Sequence, residues 1–175
     1  SEILNSLKSS YKYSYSKKLI NSYKKDFSVL RIIGMGGSIL GTKAIFSFLQ
    51  KKIKKKIIFF DNLLPKFKLN NEKKILNLIV SKSGNTIETI VNSNIYIKKK
   101  DKNIFITENK KNYLRLLGEK LKAEIVDHNN FIGGRYSVLS EVGMLPAQLM
   151  GLNENKFKKY NSLIKNKKFI NNLIN

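Results

Sequence analysis

The feature that most constrains the fold of this chain is a regular alternation between short apolar runs rich in β-branched residues and longer amphipathic segments. The short runs predict five strands, at Val29–Ile33, Ile57–Asp61, Leu76–Val80, Asn103–Thr107 and Ala123–Asp127. The segments between them predict helices, at Ser38–Lys52, Asn70–Leu76, Thr86–Lys99 and Lys110–Lys120. After the fifth strand, Ser137–Met150 and Asn155–Asn175 are also predicted to be helices. Because such an alternation favours parallel strands joined by right-handed crossovers, we predict an α/β, doubly wound three-layer sandwich with a five-stranded parallel sheet of flavodoxin-like order.

The 175 residues divide into three predicted parts. We expect residues 1–27 to form an N-terminal helical segment, residues 28–152 the sheet domain, and residues 153–175 a C-terminal helix. The apolar stripe of this last helix comprises Phe157, Tyr160, Leu163, Ile164, Phe169, Ile170 and Leu173. A stripe of this kind needs a surface to cover it. Either the sheet or a missing partner supplies that surface, and we expect a missing second domain or partner.

The formal net charge of +22 raises nucleic acids and anionic membranes as partners, because a positive surface attracts phosphate groups. Only three of the 34 basic residues are arginines, at positions 31, 115 and 135, whereas specific nucleic-acid sites favour arginine. The lysine runs at residues 51–56 and 98–102 fall at predicted helix ends, where cations complement the helix dipole. We therefore predict a solvated lysine surface, with no nucleic acid and no membrane as partner.

The sequence also limits the cellular setting. It contains no cysteine, so it can form neither a disulfide nor a thiolate metal site. No apolar run approaches the roughly 20 residues that a membrane span requires, and residues 1–26 lack the apolar core of a signal peptide. We expect a cytoplasmic protein.

A concentration of glycine follows the first predicted strand, where residues 34–41 read G-M-G-G-S-I-L-G. Glycine lets the backbone turn sharply and approach a ligand, and the N–H groups at the start of the next helix favour an anion. Gly37 lies at this helix start, and the hydroxyl of Ser38 can either cap the helix or donate to a phosphate oxygen. The glycines do not have the G-x-G-x-x-G spacing of dinucleotide-binding proteins, and the segment lacks the G-K-[ST] ending of a P-loop.

A second donor-rich segment, S-K-S-G-N-T, follows the third predicted strand. It consists of Ser81, Lys82, Ser83, Gly84, Asn85 and Thr86. The motif offers three hydroxyls, one positive charge and a tight turn that can expose backbone N–H groups. Taken alone, either segment fits a capped helix after a tight turn equally well. In a sheet of order 2-1-3-4-5, however, strands one and three are neighbours, so both loops line one crevice and predict a site for the phosphate monoester of a small molecule.

A third glycine-bearing segment, G-G-R at residues 133–135, follows the fifth predicted strand. It lies at the same end of the sheet as the two other loops, so Arg135 can reach the crevice. A planar guanidinium there would bind an oxyanion or stabilise negative charge that develops in a transition state. The alternative is a surface arginine that caps a turn.

The three motifs together resemble glucose-6-phosphate isomerase (phosphoglucose isomerase), and specifically the first of the two sugar isomerase (SIS) domains of that family. They read G-M-G-G-S-I-L-G, S-K-S-G-N-T-I-E-T and G-G-R-Y-S-V-L-S-E-V-G-M-L-P, and the resemblance spans about residues 28–152. The middle motif occurs in many sugar-phosphate domains, whereas the third motif discriminates this family. The family's S-K-T reads S-K-S here, which keeps the hydroxyl and loses a methyl group.

The resemblance implies a role for each motif. Gly37 and Ser38 would contact the phosphate end of the sugar, and the S-K-S-G-N-T segment from Ser81 to Thr86 would form its phosphate pocket. Arg135 falls on the family's arginine that stabilises the enediolate intermediate. The family reaction interconverts glucose 6-phosphate and fructose 6-phosphate through a cis-enediol, in glycolysis and gluconeogenesis, without a metal or cofactor. The full-length family members are expected to be homodimers.

The departures from the family are equally informative. Family members place a glutamate base, a ring-opening histidine and a C-terminal lysine in the second half of a longer chain, and none of those motifs appears here. His128 matches none of them and is interpreted as a loop residue. Glu88 is interpreted as a helix N-terminal carboxylate that supports the phosphate loop. Glu141 lies where a small or apolar residue would be expected, and the sequence offers no account of it.

We therefore predict the N-terminal part of a glucose-6-phosphate isomerase, which carries phosphate binding and the enediolate-stabilising arginine but an incomplete catalytic apparatus. A non-catalytic, regulatory sugar-phosphate-binding module is the alternative. A lysine-rich nucleic-acid-binding protein is a third hypothesis, and it predicts strongly salt-dependent DNA binding that does not require Ser81 or Ser83.

Overall fold

The protein is represented by a computed structural model, which describes residues 2–63, 74–159, 162 and 166–174. Its five strands are β1 (Val29–Gly34), β2 (Lys56–Phe60), β3 (Ile75–Val80), β4 (Lys102–Thr107) and β5 (Glu124–Asp127). All neighbouring pairs run parallel, in the order β2-β1-β3-β4-β5. The predicted α/β class, strand number and flavodoxin-like order are confirmed.

Seven α-helices accompany the sheet in the described residues. They are α1 (Lys17–Lys24), α2 (Gly37–Leu49), α3 (Ile87–Tyr96), α4 (Tyr113–Lys120), α5 (Glu141–Leu149), α6 (Glu154–Lys158) and α7 (Lys167–Ile174). Short 3-10 helices occupy Glu2–Leu7, Gln50–Lys52 and Gly134–Leu139. No helix in these described ranges is long and apolar enough to cross a bilayer.

The sheet is covered on both faces, because successive side chains of a strand point to opposite sides. Leu30, Ile32 and Leu78 are fully buried on one face, where side chains of α1, α2 and α5 pack against them. On the other face Ile79 and Phe105 are fully buried beneath α3 and α4. Each such side chain contributes on the order of 1.5–3 kcal/mol through removal of apolar surface from water.

The strand register aligns the carboxyl ends of the strands. Gly34 of β1 pairs with Val80 of β3, and Thr107 of β4 pairs with Asp127 of β5. The loops that follow these strands therefore leave the sheet along one edge. This edge carries all three motifs found in the sequence.

The N-terminal region is helical only in part. Glu2–Leu7 and α1 are helical, but residues 11–16 between them are not. The rings of Tyr13 and Tyr15 stack with centroids 5.0 Å apart, and the Tyr15 hydroxyl accepts a hydrogen bond from Gln148 Nε2 at 2.8 Å. The division of the chain into residues 1–27, 28–152 and 153–175 stays a prediction.

Glu141, which the sequence left without an account, holds this N-terminal segment in place. Its carboxylate is buried in the first turn of α5 and accepts hydrogen bonds from the Tyr11 hydroxyl at 2.8 and 3.0 Å and from the Ser14 N–H at 3.3 Å. Burial, together with this adjacent carboxylate, raises the pKa of Tyr11 above its usual range. The phenol therefore stays protonated and remains a donor.

Two predicted helices differ from the structure. The single helix expected over residues 137–150 is divided, because Ser140 is extended and caps α5 with its side chain accepting from the Val142 N–H. Among the described residues, the C-terminal helix is likewise interrupted, at Lys159 after α6 and at Asn166 before α7. Phe157 packs against the cluster of Ile45, Met144 and Ala147 in this domain, so this part of the stripe is covered locally.

Other sequence expectations concern residues that are only partly described. Of the helix predicted over residues 70–76, residues 70–73 lie outside the described residues, and Ile75 and Leu76 belong to β3. The stripe positions 160, 163 and 164, and the side chain at position 173, also lie outside. Phe169 of α7 is 39% exposed.

The assignment of the core can be tested with two leucines. We expect Leu78→Ala to lower the free energy of unfolding by about 2–5 kcal/mol, because Leu78 is fully buried in β3. Leu116→Ala is the matched control, with an expected change within about 0.5 kcal/mol, because Leu116 in α4 is 49% exposed. Urea denaturation followed by circular dichroism gives both values, and equal losses would contradict this core.

Candidate functional site

The loop after β1 presents a helix N-terminus without a side-chain cap. Gly36 occupies the N-cap position of α2 with φ +53°, a conformation that favours glycine. The Ser38 hydroxyl does not cap the helix, so the capping alternative for Ser38 does not apply. The backbone N–H of Ser38 donates to the Met35 carbonyl at 3.1 Å, and the Gly37 N–H makes no such bond with the described residues. The next two N–H groups of α2 donate to the Gly36 carbonyl, so the Gly37 N–H is the backbone donor left for an anion at this point.

The S-K-S-G-N-T loop after β3 is held by hydrogen bonds among its own members. The Ser81 and Thr86 hydroxyls are 2.9 Å apart, and the Gly84 N–H donates to Ser81 Oγ at 3.2 Å. The Asn85 N–H donates to Ser83 Oγ at 3.3 Å. The Gly84 and Asn85 N–H groups are thus used inside the loop, although the sequence suggested that they would face a ligand.

The start of α3 is also without a side-chain cap. Thr86 is its N-cap residue, but its hydroxyl contacts Ser81 instead of the helix backbone. The first α-helical bond runs from the Ile90 N–H to the Thr86 carbonyl at 3.0 Å, so the N–H groups of the preceding turn have no helical acceptor. The exposed Ser83 lies beside this turn. The hydroxyls of Ser81, Ser83 and Thr86 therefore surround the N-terminus of α3 without capping it.

Gly84 is required by the packing of this loop. Its φ is +69°, and an added Cβ would overlap the side-chain amide of Asn112. Asn112 in turn caps α4 by accepting from the Arg115 N–H at 2.9 Å. The Asn85 side chain also contributes here, because its Oδ1 accepts from the Tyr113 N–H at 3.0 Å. The phosphate loop predicted from the sequence is therefore joined to the start of α4.

The side-chain ammonium of Lys82 is engaged in contacts within the protein. Its ammonium donates to the Asn130 carbonyl at 2.6 Å and lies 3.6 Å from Glu108 Oε1. Glu108 also pairs with Lys110. Burial alone would raise the pKa of Glu108, but the ammonium groups of Lys110 and Lys82 hold it below its usual value. This carboxylate is therefore ionised at neutral pH.

The G-G-R segment lies directly against the start of α2. A Cβ added to Gly37 would be 2.6 Å from Gly134 Cα, which is closer than side-chain atoms approach a backbone. The Ser137 hydroxyl donates to the Gly134 carbonyl at 2.7 Å and lies 3.4 Å from the Gly37 carbonyl. The structure thus brings together two loops that are almost 100 residues apart in the sequence.

Arg135 is exposed and makes no hydrogen bond or ion pair with any residue that the structure describes. It borders a cavity of about 430 Å³. The other lining residues are Gly36, Gly37, Leu40, Gly41, Gly134 and Val138. The guanidinium is therefore available to a ligand, and the interpretation of Arg135 as a residue that caps a turn has no supporting contact.

His128 follows the end of β5, outside any strand or helix, and its side chain is buried. Its backbone N–H donates to the Thr107 carbonyl at 2.8 Å, and its Nδ1 lies 2.9 Å from the Asn129 carbonyl. Burial lowers the pKa of His128, while the Asn129 carbonyl and the Glu141 charge act in the opposite direction. The buried ring and these contacts hold the start of the segment that leads to Arg135.

Two contributors to the site were missed in the sequence. Glu108 directly follows β4 and so lies on the same edge as the three motifs, which is a signal that could have identified it. Ser137, whose hydroxyl bridges Gly134 and Gly37, gave no comparable signal. Across the described residues, no group of three or more histidine, aspartate or glutamate side chains could hold a metal ion.

The contact between the two glycine loops leads to a test. We expect Gly37→Ala to lower the free energy of unfolding by about 1–3 kcal/mol, because the added methyl group collides with the Gly134 backbone. Gly133→Ala is the matched control, since its methyl group would meet only a Tyr136 ring carbon at 3.9 Å. Denaturant unfolding of both variants measures the difference. A Gly37→Ala variant as stable as Gly133→Ala would contradict this contact.

The buried histidine predicts a pH dependence. The unfolded chain binds a proton near the ordinary histidine pKa of about 6.5, whereas the folded chain resists protonation. The unfolded state therefore binds more protons as the pH falls from about 7.5 to 5.5, and stability should decrease over this range. His128 is the only histidine, so His128→Gln should flatten the profile. Identical slopes for the two proteins would show that His128 has no shifted pKa.

Comparisons with known proteins agree with these features. The family described as "Phosphoglucose isomerase" matches residues 4–172. The glucose-6-phosphate isomerase of Methanocaldococcus jannaschii is 36% identical over 151 residues, which cover 79% of this chain and 36% of that protein. The glucose-6-phosphate isomerase of Mycoplasma mycoides is 30% identical over 182 residues, which cover 93% of this chain and 42% of that protein. The chain thus spans about two fifths of the length of these relatives.

Solved structures share the fold. A hypothetical protein from Thermus thermophilus has a TM-score of 0.71 at 24% identity, covering 83% of this chain and 40% of that one. Tagatose-6-phosphate ketose/aldose isomerase from Escherichia coli has a TM-score of 0.62 at 14% identity, covering 84% of this chain and 45% of that one. At these identities the likeness concerns the architecture alone. On the match over residues 4–172, the chain belongs to the phosphoglucose isomerase family.

Proposed function

We propose that this chain is part of a glucose-6-phosphate isomerase and that it holds the phosphate group of the sugar next to an arginine that assists the isomerisation. The observation that carries the proposal is the backbone contact between Gly37 and Gly134, which places the N-terminus of α2 beside a guanidinium that has no partner among the described residues. Membership of the phosphoglucose isomerase family supports the same reaction.

The phosphate pocket is assigned to the two loops after β1 and β3. Ser38, Ser83 and Thr86 supply hydroxyl donors. The Gly37 N–H and the N–H groups of the first turn of α3 add the partial positive charge of two helix termini. Gly37 keeps the backbone accessible. Ser81, Gly84 and Asn85 shape the loop through their hydrogen bonds. Lys82 lies at the edge of the loop, where its ammonium donates to the Asn130 carbonyl.

Arg135 is assigned to the chemical step. Conversion of an aldose to a ketose moves one proton from C2 to C1, through a cis-enediol whose oxygen carries negative charge in the transition state. A guanidinium in the cavity beside Gly37 stabilises that charge without itself transferring a proton. The reaction needs neither a metal nor a cofactor, since the proton and both oxygens belong to the substrate and to acid–base groups.

The proton transfer itself is assigned to the part of the isomerase that this chain does not span. The matched relatives are more than twice as long as the segment that aligns with this chain, and no buried carboxylate in the described residues faces the cavity beside Arg135. We place the complete enzyme in the cytoplasm, in glycolysis and gluconeogenesis, as a homodimer. Residues 28–152 would be its first SIS domain, and residues 166–174 would contact the second domain.

A regulatory sugar-phosphate-binding module is the second candidate. The fold also occurs in the Vibrio vulnificus NanR protein complexed with ManNAc-6P, at a TM-score of 0.50 and 19% identity over 90% of this chain. Such a module would need the phosphate loops but not Arg135. Dependence of isomerase activity on Arg135 in a complete enzyme therefore separates the two candidates.

Binding tests the pocket directly. We expect the chain to bind glucose 6-phosphate, and Thr86→Val to weaken binding about tenfold, because one hydrogen bond to a charged group is lost. Thr89→Val is the matched control: Thr89 lies in the same helical turn, and its buried hydroxyl has no partner among the described residues. Isothermal titration calorimetry measures all three proteins. Equal affinities would remove Thr86 from the pocket.

A turnover assay tests whether this chain binds the substrate without carrying the proton-transfer groups. Purified alone, the 175-residue chain should bind the sugar phosphate without converting it to fructose 6-phosphate, because the proposed acid–base groups are not among its residues. A coupled assay for fructose 6-phosphate measures this. Turnover that is lost in Arg135→Ala would contradict the assignment of proton transfer to residues outside this chain.

A further inference from the structure

We propose that Lys82 is a positioning residue that ties the phosphate loop to the segment bearing Arg135, and that its ammonium does not contact the bound phosphate. The proposal rests on the proposed function of these loops as a sugar-phosphate site. It departs from the simplest interpretation of a lysine in a donor-rich loop, which is direct binding of the phosphate.

The ammonium of Lys82 lies among the segments that follow three neighbouring strands. Lys82 lies just beyond β3, Glu108 just beyond β4, and Asn130 in the segment after β5. Its side chain crosses the end of β4 to reach the Asn130 carbonyl at 2.6 Å, and passes 3.6 Å from the Glu108 carboxylate. A charge-assisted hydrogen bond of this length joins two loops that no backbone hydrogen bond connects directly in the described part of the chain.

The backbone of Lys82 is also held by the end of β4. Its carbonyl accepts hydrogen bonds from the Glu108 N–H at 3.0 Å and from the Thr107 hydroxyl at 3.3 Å. Main chain and side chain of Lys82 are therefore both held by the neighbouring strand ends. Turning the ammonium toward a phosphate on the Ser83 side would break the bond to Asn130 and separate it from a buried, ionised carboxylate.

The other end of the link is a short, well-defined segment. Asn129 Oδ1 accepts from the Phe131 N–H at 2.9 Å, and the Asn129 carbonyl accepts from the Ile132 N–H at 3.3 Å. Ile132 is fully buried. A turn anchored at both of its ends leads directly into Gly133 and Arg135, so a constraint on the Asn130 carbonyl is transmitted to the arginine.

The test compares Lys82→Met with Lys43→Met. Lys43 also pairs with a carboxylate, Asp61, and its side chain is 38% exposed against 30% for Lys82, but it lies away from this link. We expect Lys82→Met to speed amide hydrogen exchange at residues 130–135 at least threefold, and Lys43→Met to leave it unchanged. Lys82→Arg should restore slow exchange, since arginine can still donate to a carbonyl. Lys82→Gln, which cannot span the same distance, replaces the methionine variant if that variant does not fold.

A second measurement separates positioning from direct binding. Inorganic phosphate should bind Lys82→Met within twofold of its affinity for the unchanged chain, because the probe needs only the hydroxyls and helix termini. Unchanged exchange at residues 130–135, or a loss of phosphate affinity greater than twofold, would overturn the proposal. The exchange measurement uses no ligand, so it remains decisive even if the chain binds no sugar phosphate and the proposed function fails.

Discussion

The parallel pairing of β1 with β3 is the interaction on which the rest of the site depends. Six consecutive residues of β1 pair with β3, from Val29 opposite Ile75 to Gly34 opposite Val80. Apart from Arg31 and Asn77, which lie opposite each other, both strands are apolar, and both are buried on their two faces, so a shift in register would expose core side chains. Gly34 itself fits closely, since an added Cβ would lie 2.9 Å from the Val80 carbonyl oxygen. With this register, the two donor-rich loops start side by side.

The fold was largely predictable because it follows from local pattern. Largely apolar runs of five residues, separated by helical segments, predict a parallel sheet, and the topological rule for such sheets then places the loops after β1 and β3 together. The contact of Gly37 with Gly134, and the link from Lys82 to Asn130, were not predictable in the same way. Both join segments that are distant in the sequence, and neither glycine nor lysine indicates its partner by type.

The buried Glu141 shows a second reason why part of the structure could not be predicted from the sequence. A carboxylate in the first turn of a helix is favourable, but a buried one needs donors, and nothing around position 141 in the sequence supplies them. The donors come from Tyr11 and Ser14, about 130 residues earlier. This one residue therefore explains why the N-terminal segment lies on α5, close to the 3-10 helix that carries Arg135. His128, only partly predicted, belongs to the same region, and its burial lowers its pKa.

The central claim is that the starts of α2 and α3, with Arg135 beside them, bind the phosphate and enediolate parts of a sugar phosphate. The most direct test is a titration of the ¹⁵N-labelled chain with glucose 6-phosphate, followed by the shifts of its backbone amide resonances. We predict saturable shifts at residues 36–38, 83–88 and 134–136, with little change elsewhere. Shifts confined to the lysine runs at residues 51–56 and 98–102 would contradict the account, because they would indicate non-specific attraction of phosphate to a positive surface.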